Sequence, residues 1–181
     1  MLSCIFSGTD ARFKDIFDPM NSSNLPNIKK VFLQYKLLAE NAIAQMPDEK
    51  LFWQKNLDSN SVAIIVKHMS GNMISRWTDF LTTDGEKENR NRDGEFVNDI
   101  KTRAALMECW NKGWTCFLNT LDSIGPADLE KIVRIRGDEL TVQDAITRQL
   151  AHYSYHIGQL VFIAKMSVED WESLSIPRKK E

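Results

Sequence analysis

The chain contains three histidines, His68, His152 and His156. Two of them stand four residues apart in the stretch TVQDAITRQLAHYSYHIGQLVFIAKM. Side chains four apart on a helix share a face and lie about 6 Å from one another along the axis. Two imidazoles so placed can reach one divalent ion, and a third from another helix would complete a ligand set. His68, in SVAIIVKHMSGNM, is the candidate for that third position. The metalloprotease signature HExxH has the same spacing, but Tyr153 stands where its glutamate base belongs, so that reading fails. A di-iron centre of the ferritin type requires Glu-x-x-His, whereas Gln149 and Tyr153 precede His152 and His156 by three. A bis-histidine haem has no specific support. Three neutral nitrogens suit Zn²⁺, Ni²⁺ or Fe²⁺ without choosing among them. They would leave a position open for water or substrate, as catalytic rather than closed structural sites do. The alternative is three separate core histidines, each satisfied by its own hydrogen bonds.

The elements that must position these residues are helical. Val142, Ala145, Ile146, Gln149, His152, Tyr153, His156, Leu160, Ile163 and Ala164 recur at spacings of three and four, which is one face of a helix from Thr141 to Met166. Thr141 with Asp144 three residues on marks its start. A first helix runs from about Pro26 to Met46 and stops at Pro47. A second begins after the candidate caps Asp58, Ser59, Asn60 and Ser61 and runs to about Leu81. On it His68, Asn72 and Arg76 follow at i, i+4 and i+8 along the edge of the apolar face. A third spans about Asp99 to Ser123, with Ile100, Ala104, Met107, Trp110, Trp114, Phe117 and Leu121 in a heptad-like rhythm. The segment KIVRIRGDEL alternates around Gly137-Asp138 and predicts a short extended pair before the last helix.

Four amphipathic helices without a substantial sheet predict an all-α four-helix bundle. The polar segment Thr83–Asn98 exceeds the two to eight residues that usually join antiparallel helices, so a long crossover is expected between helices two and three. That segment reads as a solvated loop with no direct chemical role. Residues 1–24 read as an N-terminal arm and 25–178 as the bundle domain.

The bulk properties exclude several classes. The 181 residues are 43% hydrophobic and 27% charged with a net charge of −2, which is ordinary for one globular domain. The short tail Arg178-Lys179-Lys180 is the one basic run, so nucleic acid is not an expected partner. No apolar run approaches the roughly 20 residues that span a bilayer, so no membrane partner is expected either. Cys4, Cys109 and Cys116 lack metal-type spacing, and a reducing cytoplasm is the expected compartment. Cys109 and Cys116 read as packing residues rather than nucleophiles.

The combination of NSVAIIVKHMSGN with LTVQDAITRQLAHYSYHIGQLVFIAK resembles the DinB/YfiT-like superfamily, and RWTDFLTTDGEKENRNRDGEF and SIPRKKE are similar to an uncharacterised bacterial branch of it. The resemblance covers roughly residues 25 to 178. It implies a four-helix bundle with a long second crossover, His68, His152 and His156 as ligands of one divalent metal ion, and a bacterial cytoplasmic protein that is often a homodimer. Relatives of known activity include thiol-dependent S-transferases and a thiol-dependent isomerase. The expectation is therefore a divalent-metal-dependent enzyme, a thiol-dependent transferase or a hydrolase acting on a small molecule. The alternative is a non-catalytic metal-binding protein or a dimeric interaction or stress protein, since no general base stands beside the histidines. Arg76 is a candidate to neutralise an anionic substrate, or else a surface ion pair. Asn72 and Tyr155 are candidate hydrogen-bond donors to a ligand, or, for Tyr155, a packing residue.

Overall fold

The computed structural model describes residues 25–175. The arm assigned to residues 1–24 and the end of the tail lie outside the described residues. Within them the chain is mostly helical, with five α-helices and one two-stranded antiparallel hairpin. In order these are α1 (Leu25–Gln45), the single turn α2 (Asp48–Leu51), α3 (Val62–Trp77), α4 (Arg103–Ser123), β1 (Ile132–Ile135), β2 (Asp138–Thr141) and α5 (Val142–Ser167). No described helix is long and apolar enough to cross a membrane.

The helix ends follow local chemistry. Ser61 caps α3 by accepting from Ile64 N at 3.1 Å, and Thr141 caps α5 by accepting from Asp144 N at 3.0 Å. Two boundaries differ from the sequence reading. α3 ends at Trp77, because Thr78 turns extended and Asp79 adopts a left-handed φ of 49°. Phe80 nevertheless reaches the core from this turn and packs against Trp77 with ring centroids 4.5 Å apart. α4 begins at Arg103 rather than Asp99, because Thr102 takes the capping position and accepts from Ala105 N.

One core joins the four long helices. Thirteen of the sixteen residues of α3 are buried, which makes it the central element. It packs against α4 and α5, while α1 packs against α5. Phe32 of α1, Trp77 of α3, Phe117 of α4 and Tyr153 of α5 meet in one aromatic cluster, with Phe117 centred 4.6 Å from Phe32, 4.7 Å from Trp77 and 5.4 Å from Tyr153.

The expected extended pair is present, with Ile132 opposite Thr141 and Ile135 opposite Asp138. Its turn has positive φ at both Arg136 (59°) and Gly137 (82°), a geometry that glycine adopts without steric cost. Asp84 clamps that turn, accepting from Arg136 N at 2.9 Å and Gly137 N at 2.8 Å. Gly85 N donates to Arg134 O at 2.8 Å. The long α3–α4 connection is thereby fixed to the hairpin instead of trailing in solvent.

Candidate metal centre

His68 comes from the middle of α3, and His152 and His156 from successive turns of α5. His68 and His156 are buried and His152 half-buried. Their ring centroids lie 4.7 to 5.6 Å apart, and one ligating nitrogen of each falls within 4.8 Å of the others. The structure thus brings together the three residues that the sequence proposed as ligands, in a group that could hold one metal ion.

The second nitrogen of each ring is engaged elsewhere. His68 Nδ1 donates to Glu95 Oε2 at 2.9 Å, and His156 Nδ1 donates to Gln159 Oε1 at 3.1 Å. His152 Nδ1 accepts from Gln149 Nε2 at 2.9 Å. With every Nδ1 occupied, Nε2 is the nitrogen left over on each ring. His152 Nε2 donates to His156 Nε2 across 3.0 Å. Burial, and then the neighbouring His156 and His68, push the His152 imidazolium down to about 3. Burial and then His68 push His156 down to about 4, against the Gln159 bond that favours its protonation. Both rings are therefore neutral near pH 7, the form that ligates metal.

Glu95 corrects the reading of Thr83–Asn98 as a solvated loop. It lies in the short 3₁₀ turn Asp93–Phe96, is buried, and supplies the carboxylate behind His68. Burial alone would raise its pKa, but the bonds from His68 and Arg90 hold it below the usual carboxylate range. Arg90 grips it as a fork, with Nε to Oε1 at 2.7 Å and Nη2 to Oε2 at 2.8 Å. The remaining face of Arg90 donates to Glu86 at 3.1 and 3.2 Å. Gly71 makes this approach possible. A Cβ there would sit 2.3 Å from Glu95 Oε1 and 2.6 Å from its Cδ. The sequence signal for it was a glycine inside a helix, three residues from a histidine whose ring needs an acceptor.

A polar chain connects the centre to the core. Trp77 Nε1 donates to Tyr153 Oη at 3.2 Å, and Tyr153 Oη to Asn72 Oδ1 at 3.4 Å. Gln149 Nε2 donates to the same Asn72 oxygen at 3.0 Å and, from there, reaches His152. Asn72 does line the cleft beside the histidines, but its amide oxygen is held in this network. Tyr155 is exposed at the cleft rim, its ring centred 4.4 Å from that of His156. Arg76 also lines the cleft and is buried, not at the surface. Cys109 and Cys116 lie outside the cleft as half-buried free thiols, and burial pushes the Cys109 thiol up.

The cleft itself has a volume of about 370 Å³, within the range of small-molecule sites. No curated protein and no solved structure matches the chain significantly. Residues 20–180 do match a family, so the chain belongs to the family described as "Protein of unknown function (DUF1572)".

Proposed function

We propose that the chain is a DinB-like four-helix protein that binds one divalent metal ion through Nε2 of His68, His152 and His156, and that it is a thiol-dependent transferase or a hydrolase acting on a small molecule. The observation that carries the proposal is the division of labour within each ring: Nδ1 is tied to the protein, Nε2 is the nitrogen left over, and one ligating nitrogen of each ring lies within 4.8 Å of the others. This is the arrangement that orients imidazole ligands in metalloproteins. Three protein ligands leave room for an exogenous one. Once bound, the ion supplies Lewis acidity, which favours the deprotonated form of a water or thiol occupying the open position.

The chain's own residues hold the protons. Glu95 and Gln159 keep the His68 and His156 protons on Nδ1, which leaves Nε2 bare. His152 must move its proton from Nε2 to Nδ1, and the Gln149 amide must then offer Oε1 in place of Nε2. The half-buried placement of His152 leaves the centre accessible from the cleft.

Cobalt substitution tests the open thiol position. Co²⁺ bound to the protein gives visible absorption, and a thiol entering its coordination sphere adds a sulfur charge-transfer band in the near ultraviolet. A cobalt protein whose spectrum ignores added thiol would contradict thiol dependence. One observation favours a second reading, a metal-binding protein without catalysis: among the described residues no aspartate or glutamate lines the cleft. Turnover assays with thiol and electrophile or ester substrates separate the two.

A further inference from the structure

The cleft beside the histidines is lined by five arginines, Arg76, Arg90, Arg92, Arg136 and Arg148. The whole chain has a formal charge of −2, so this is a local concentration of positive charge. Among the described residues two carboxylates serve the five. Glu95 and Glu86 occupy Arg90, and Glu86 also accepts from Arg136 Nε at 3.2 Å. Arg92 rests 5.5 Å from the Phe96 ring centre. Arg148 is exposed and has no ion-pair partner among the described residues.

Arg76 is the anomaly. It is 5% exposed, and its buried Nε has no hydrogen-bond partner among the described residues. The nearest carboxylate oxygen, on the already shared Glu86, is 3.8 Å away, too far for a hydrogen bond. A buried donor left unpaired is costly, and a buried charge more so. Burial depresses the Arg76 pKa, and Arg148 and Arg90 repel the same charge. A guanidinium kept in such surroundings is one prepared for an anion that is not part of the protein.

The order of residues along the two helices gives the cleft a direction. His68, Asn72 and Arg76 step along α3, and Arg148, His152 and His156 step along α5. The Asn72–Gln149 bond joins the helices at the middle level. Each arginine lies two turns, about 12 Å along the axis, from the last histidine of its own helix. His68 and His156 lie toward one end and Arg76 and Arg148 toward the other, while Arg90 and Arg92 flank the His68 side through Glu95 and Phe96.

We infer that the cleft binds a small molecule carrying an oxyanion, a carboxylate or a phosphate, at Arg76 and Arg148, with its opposite end directed at the histidines. The direction of the ligand rests on the metal-centre reading; the oxyanion site does not. The test is titration calorimetry of the full, metal-free chain with inorganic phosphate and, separately, with succinate. Arg76→Gln and Arg148→Gln are compared with Arg134→Gln, which alters an exposed arginine outside the cleft paired with Glu139. Binding by wild type that weakens about tenfold or more in both cleft variants, and is unchanged in Arg134→Gln, supports the site. The stronger of the two probes then names the oxyanion. Absence of binding by either probe, or equal weakening in Arg134→Gln, overturns it. Should Arg76→Gln fail to fold, the exposed Arg148→Gln decides. Zinc uptake measured on the same preparations keeps the two readings apart. Protein that binds probe but no zinc retains the oxyanion site without the metal centre, and protein that binds zinc but neither probe loses the oxyanion site alone.

Discussion

Replacing Gly71 by alanine isolates what Glu95 does for His68. The new Cβ would meet Glu95 Oε1 at 2.3 Å, so the carboxylate must retreat by about 1 Å to reach ordinary contact. The 2.9 Å bond to His68 Nδ1 then lengthens past hydrogen-bond range, and the Arg90 fork is misaligned. Loss of such an outer partner weakens metal binding about 10- to 100-fold, or about 1.4–2.7 kcal/mol. The helix itself gains from the change, because alanine is favoured over glycine by up to about 1 kcal/mol within a helix. Two measurements on one variant therefore diverge. Competition with a chromophoric chelator reads zinc affinity, which falls. Thermal unfolding of the metal-free protein reads stability, which falls less than for a core truncation of about 2–5 kcal/mol. A folded Gly71→Ala variant with wild-type zinc affinity would refute the role assigned to Glu95.

Three further outcomes follow from the same geometry. Chelation should leave the protein folded by far-ultraviolet circular dichroism and lower only its melting temperature, because the aromatic core shared by α1, α3, α4 and α5 contains none of the three histidines. Metal-free protein should lose stability as pH falls from about 6.5 towards 4. His152 and His156 have folded pKa values of about 3 and about 4, below an unfolded value near 6.5, so the unfolded chain takes up protons first across that window. Urea midpoints should therefore drop on acidification in this range, less steeply in His152→Gln, and stay level above about 7. Tyr153→Phe should cost about 1–3 kcal/mol in urea unfolding, because it removes the hydroxyl that accepts from buried Trp77 Nε1 and donates to Asn72.

The histidine cluster was legible in the sequence because helical periodicity places residues by number. His152 and His156 share a face at i, i+4, and a chain with three histidines offers few other pairings for a third. The same periodicity located the four long helices, and the alternation around Gly137 located the hairpin. The misses have a common cause. Glu95 and Arg90 lie in a polar segment without periodicity, and only the fold shows that Asp84 and Gly85 anchor this segment to the hairpin and carry Glu95 beneath His68. The helices stop short of Leu81 and start after Asp99 because turn conformation at Asp79 and the cap at Thr102 outweigh the apolar pattern that continues beyond them. The burial of Arg76 could not be read either. An arginine at the edge of an apolar stripe looks the same in sequence whether it faces water or an arginine-lined cleft.

The most direct measurement is the metal content of wild type and His156→Ala, purified under metal-clean conditions and analysed by elemental mass spectrometry. The expected result is near-stoichiometric zinc, nickel or iron in wild type, after growth or after reconstitution, and its loss in the variant. Wild-type protein that retains none of these ions after exposure to each would contradict it, and the three histidines would then be core residues satisfied by Glu95, Gln149 and Gln159 alone.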